Sequence, residues 1–111
     1  MNDYYDKNGK PIGLFEWAKL LEDKDYRIIK QETLKNSKFI STVWLGLNHN
    51  FGEGEPLIFE TMVFNANKKK KFKLGSKKEY ESLGEETDMD RYSTLEEAIK
   101  GHQKMVKKWD K

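Results

Sequence analysis

Two histidines and one strand carboxylate are the residues best suited to chemistry in this chain. Glu60 interrupts Ile58, Met62 and Phe64 on one face of a segment, Leu57 to Asn65, whose composition suits a central strand. A carboxylate placed there must be paired, hydrogen-bonded or protonated, because an isolated buried charge costs too much. Its functional roles would be general base, metal ligand or acceptor for a ligand N–H. The structural role, an ion pair with a residue such as Arg91, is the preferred reading. His102 sits on the apolar face of the last helix, where a histidine is more often a core residue donating to a carbonyl than a ligand. His49 follows the clearest strand, in a loop with Gly52 and Gly54 nearby. Together His49, Glu60 and His102 have the composition of a two-His-one-carboxylate metal triad or of an acid–base set acting on a nucleotide or phosphodiester. His49, Glu60 and His102 lie on three separate elements and no His-x-x-x-His or Asp-x-Asp pattern includes any of them, so neither a metal nor a cofactor is expected. Trp44, His49, Glu60, Arg91 and His102 make up the candidate ligand-binding set.

Other chemistries are excluded or weak. With no cysteine, disulfide scaffolds, zinc ribbons, iron–sulfur clusters and thiol catalysis are ruled out. Ser41, Thr42 and Ser93 have no nucleophile-elbow context. Gly46, Gly52 and Gly54 match neither Walker spacing nor a Gly-x-Gly-x-x-Gly helix start.

A second candidate surface is electrostatic. Residues 68–78 hold seven lysines and no acid, and residues 79–90 hold six acids and no base. Lys68, Lys69, Lys70, Lys71, Phe72 and Lys73 interleave basic groups with a ring, as proteins that hold single strands often do. The acidic stretch beside them cancels the field within roughly 8–10 Å, and the chain is nearly neutral, so nucleic acid is disfavoured. A solvated hairpin tip is preferred, with protein contact second.

The elements that must position these groups follow from periodicity. The chain has 111 residues, one domain by length, with 21 basic and 19 acidic side chains and a formal charge of +2. Hydrophobic residues make up 36% and aromatic ones 13%, so rings must supply much of the core. No apolar run reaches the roughly 18 residues of a membrane span, and the start is no signal peptide, so a soluble, cytoplasmic protein is expected. Asp6, Asn8, Gly9 and Pro11 make a turn. Leu14 to Leu21 reads as a short helix, Tyr26 to Leu34 and Phe39 to Leu47 as alternating strands, and Leu57 to Asn65 as a third. Segment 66–90 reads as a charged, mobile loop or hairpin within the single domain 1–111. Thr94 with Glu97 has capping-box spacing, and Leu95, Ala98, Ile99, His102, Val106 and Trp109 form one face of a final helix. The expected fold is α+β: an antiparallel three- to four-stranded sheet packed against the C-terminal helix, with a short N-terminal helix and the charged extension. With Ile40, Thr42 and Trp44 on the uncovered face, that face would suit homodimerisation.

Tyr4-Tyr5-Asp6 with Gly9 and Pro11-Ile12, the block Ser41 to His49, the block Pro56 to Phe64, Arg91-Tyr92-Ser93-Thr94, Glu97-Ala98 and Gly101-His102 follow one another along the chain. In these motifs the chain resembles a family of small uncharacterised proteins of tailed bacteriophages and prophages. The likeness spans most of the chain outside the lysine-rich segment 65–88, and Phe59 to Phe64 is its most specific part. It implies a context, a small phage protein in the bacterial cytoplasm, and no mechanism. The leading expectation is a non-enzymatic accessory protein that binds a host protein or sequesters a small, nucleotide-like ligand and so inhibits antiviral defence. The alternative is the enzyme built on His49, Glu60 and His102.

Overall fold

The computed structural model describes residues 3–50, 52, 54–68, 71–74, 78–81 and 84–111, with the side chains of 68, 72–74 and 78–81 left out of the description. The turn at the start becomes a small hairpin of β1 (Tyr4–Tyr5) and β2 (Pro11–Ile12). Asp6 Oδ1 accepts from the amides of Asn8 and Lys10, and Gly9 takes the left-handed φ of 79° that the turn requires. Helix α1 (Leu14–Glu22) follows and ends at Asp23. The Asp23 side chain then caps the single turn α2 (Lys24–Arg27), accepting from the amides of Asp25 and Tyr26.

The main sheet comprises β3 (Ile28–Thr33), β4 (Lys38–Trp44), β5 (Phe59–Asn65) and β8 (Glu85–Tyr92), all antiparallel neighbours in the order β3-β4-β5-β8. After β5 and the 3₁₀ turn Ala66–Lys68, a separate hairpin pairs β6 (Lys71–Leu74) with β7 (Lys78–Glu81). The arm is thus shorter than segment 66–90, because Glu85 to Asp90 belongs to β8 and the main sheet. Helix α3 (Leu95–Trp109) closes the fold. Its Thr94 cap accepts from the Glu97 amide, and the Thr94 hydroxyl donates to the Glu97 carboxylate. This is the α+β architecture expected from the sequence.

The register decides which side chains share a face. Ile40 pairs with Val63, Thr42 with Thr61 and Trp44 with Phe59, while Phe59, Thr61 and Val63 pair with Tyr92, Asp90 and Asp88. These residues face α3 and α1. The face carrying Ile40, Thr42 and Trp44 is therefore the covered one, with all three at 0% exposure, a reversal of the sequence reading. The physical reason is that the alternate set, Phe39 and Val43, is apolar too, so composition could not choose the side. Thr42 is accommodated inside because a polar partner meets it there.

The core is divided. At one end Trp44, Ile58, Phe59, Tyr92 and Ala98 pack with Trp17, Leu20 and Tyr26; at the other Ile40, Val63 and Met105 pack with Val106 and Trp109. Trp44 donates its indole N–H to the Tyr5 carbonyl and Trp17 donates to that of Leu45, so both large rings bury without an orphaned donor. Among the described residues, no helix is long and apolar enough to cross a membrane.

Candidate functional site

Between the two apolar clusters lies a chain of polar side chains. His102, 1% exposed, is carried by α3 against the centre of the sheet. Its Nδ1 lies 2.6 Å from Thr42 Oγ1, and Thr42 Oγ1 lies 2.6 Å from Thr61 Oγ1. On the other side, His102 Nε2 lies 2.7 Å from Glu32 Oε2 on the edge strand β3. Lys30 approaches the same carboxylate at 3.5 Å. The hydrogen bond from His102, aided by Lys30, holds the Glu32 carboxyl below its ordinary range against the opposing effect of desolvation. With Glu32 ionised, Nε2 carries a proton and donates to it. In the neutral ring Nδ1 then accepts from Thr42, and Thr42 accepts from Thr61; in the charged ring both hydroxyls turn about.

Both ring nitrogens of His102 and both threonine hydroxyls are engaged, and Thr42 and Thr61 are at 0% exposure. The order carboxylate–imidazole–hydroxyl has the composition of a catalytic triad, but its hydroxyl lies where no substrate carbonyl can reach. The arrangement ties α3 to three strands. Beyond Thr61, the Tyr92 phenol is buried close to the Thr61 hydroxyl, with no well-formed hydrogen bond among the described residues. Burial raises its pKa, partly offset by nearby Thr61, and Asp90 and Asp88 raise it further.

Glu60 faces the other way. It stands opposite Val43 and Arg91, on the side of the sheet remote from both helices, and Arg91 Nε donates to its Oε2 at 3.1 Å. The structural ion pair expected for it is the one found. The sheet therefore separates Glu60 from His102. His49 lies on the connection after β4, where its amide donates to the Leu57 carbonyl. Trp44 is core. Among the described residues no cluster of three His, Asp or Glu side chains could hold a metal ion. Of the lysine-run candidates, Lys69 and Lys70 lie outside the described residues, as do the side chains of Lys68, Phe72 and Lys73; Lys71 is exposed at the start of β6.

Sequence reasoning placed His102 on the inner face but missed Glu32, Thr42 and Thr61 as its partners. The signal that could have found them is register, since a Thr–Thr pair across two central strands needs a third polar group. It also missed the face around Glu60. That side presents Phe39, Val43, Met62, Phe64 and Met89 about the ion pair, with the Phe39 and Phe64 rings stacked at 6.3 Å. Gln31 donates to Ser41 Oγ beside them. Among the described residues neither helix reaches this face.

Cavities open at the surface among the described residues. A groove of about 420 Å³ runs between α3 and β8, a hollow of about 210 Å³ lies where the first hairpin meets Pro56 and Ser93, and an apolar one of about 160 Å³ lies beside His102. In comparisons with known proteins, no family model matches the chain, and neither does any curated protein or solved structure.

Proposed function

We propose that this protein is a non-enzymatic accessory factor of a bacteriophage, acting in the host cytoplasm, that holds a host protein on the helix-free face of its sheet and so inhibits antiviral defence. The observation that carries the reading is that face: half-buried Phe39, Val43, Met62 and Phe64 and exposed Met89, turned away from both helices around the Glu60–Arg91 pair. Contiguous apolar surface rimmed by polar groups is characteristic of protein-contact sites. Four strands about 4.8 Å apart and some seven residues long span roughly 400–500 Å². That is small for an obligate dimer and suits a transient partner with a complementary apolar ridge and a charge to meet Glu60 or Arg91.

Site-specific photocrosslinking in host cells tests it. With the crosslinker at Val43 or Phe64, one host protein should be trapped, and wild-type chain should compete it away. The crosslinker at Lys107, on the outer side of α3, should trap none of it. Equal trapping from both sides, or adducts formed only with a second copy of this chain, would overturn the reading.

A further inference from the structure

The groove between α3 and β8 lies on the opposite side of the sheet from the proposed protein-contact face. Its floor is the Tyr92 ring, Gly101 and Met105. Gly101 has no side chain to fill the space because the Tyr92 ring occupies it: a Cβ there would lie 2.2 Å from the ring. The helix wall carries Lys100, Lys104 and Lys108 at successive four-residue steps, about 6 Å apart along the axis. The opposing side carries Asp90 from β8, and Glu97 stands at the N-terminal end of the helix wall.

The three lysines are not equivalent. Lys100 is paired at 3.1 Å with Glu96 and Lys108 at 2.7 Å with Asp88, and neither carboxylate lines the groove. Lys104, between them, has no ion pair among the described residues. The groove thus joins an ammonium with no ion pair among the described residues, an apolar floor and two carboxylates, Asp90 and Glu97, within one volume of ligand size. A compact anion alone would meet Asp90 and Glu97 unfavourably. A molecule with an anionic head at Lys104 and N–H donors elsewhere satisfies both walls and covers the floor.

We propose that this groove binds a small organic phosphate that also carries hydrogen-bond donors, of the kind a nucleoside monophosphate represents. The phosphate sits at Lys104, flanked by Lys100 and Lys108. The ring lies over Gly101 and Met105, and its amino group donates to Asp90 or Glu97.

NMR titration of the full chain with adenosine monophosphate, adenosine and inorganic phosphate tests this. Adenosine monophosphate should shift the amides of Gly101, Lys104 and Met105 saturably, with each half-molecule binding at least tenfold more weakly. Lys104→Gln, at an exposed helix position, should weaken it at least tenfold, and Lys107→Gln, outside the groove, should leave it unchanged. No saturable shift up to about 10 mM, phosphate alone binding as tightly as the nucleotide, or equal affinity in Lys104→Gln would each overturn the assignment.

Discussion

His102 Nε2 and Glu32 Oε2 lie 2.7 Å apart, joining residues seventy positions apart in the chain. The contact fastens the edge strand β3 to the last helix, while the other ring nitrogen fastens the same helix to the middle of the sheet. His102→Ala removes both links, leaves Thr42 short of a partner and opens a cavity between two apolar clusters. The expected loss is about 2–4 kcal/mol. Glu32→Gln keeps an acceptor for the ring on a partly exposed strand and should cost about 1 kcal/mol or less. Urea unfolding of the two variants checks the order; equal losses would contradict it.

Acid should act through two carboxylates. The Glu32 carboxyl is lowered by the His102 hydrogen bond, and that of Asp88 by hydrogen bonds from Lys108 and from the Trp109 indole. A carboxyl lower in the folded than in the unfolded chain contributes stability that is complete above its unfolded value and lost as pH falls through its folded value. With ordinary values of 4.5 and 3.8, the unfolding free energy should decline below about pH 4.5. In the Glu32→Gln/Asp88→Asn double variant the plateau should be lower and the acid limb shallower. An unchanged acid limb would remove both groups from the account. Trp109 fluorescence offers a direct readout of the Asp88 contact.

Gly101→Ala should reverse the usual sign. In a helix interior the change normally stabilises by about 1 kcal/mol. Here the new methyl would lie 2.2 Å from the Tyr92 ring, so a loss of about 1–3 kcal/mol is expected. Tyr92→Phe removes a buried hydroxyl that has no well-formed hydrogen bond among the described residues and only the Thr61 hydroxyl close by, so it should be close to neutral. Calorimetric melting of both variants is decisive: a stabilised Gly101→Ala would show that the ring yields.

The same glycine marks the limit of what could be read from the residues alone. The capping pair Thr94 and Glu97 and the helical spacing after it locate α3 closely. The buried positions, however, are Ala98, Gly101, His102 and Met105, while Ile99 is 45% exposed. Leu95, Ala98, His102, Val106 and Trp109 of the expected stripe do pack inward; what the stripe lacks is Gly101, which has no hydrophobic signature yet is where Tyr92 comes closest. Strand β8 was hidden for a related reason. Asp88 and Asp90 make it look like a solvated arm, but they face the lysine-rich helix, so charge pairing stands in for apolar burial. Glu60 and its partner Arg91 were legible because a charge on a central strand has few ways to be satisfied. The Glu32–His102–Thr42 link was not, since it joins three elements whose register no local pattern specifies.

Glu60→Gln should cost about 1–2 kcal/mol by replacing a charge-assisted bond with a neutral one on a strand largely shielded from water. Because the pair lies at the proposed contact face, the same variant should also weaken partner trapping from Val43. Loss of stability with trapping intact would assign the pair to the fold alone.

The charged arm leaves the sheet at Asn65 and returns at Glu85, which are paired with each other, with Gly84 turned to a φ of 117° at the return. Its two ends are thus held side by side by the sheet itself, so each doubling of its length costs only about 0.6 kcal/mol in loop closure. In engineering terms this is a cassette port: an exchanged segment that keeps Ala66, whose amide donates to the Ser37 carbonyl, and Gly84 at the return would leave the Asn65–Glu85 pairing in place.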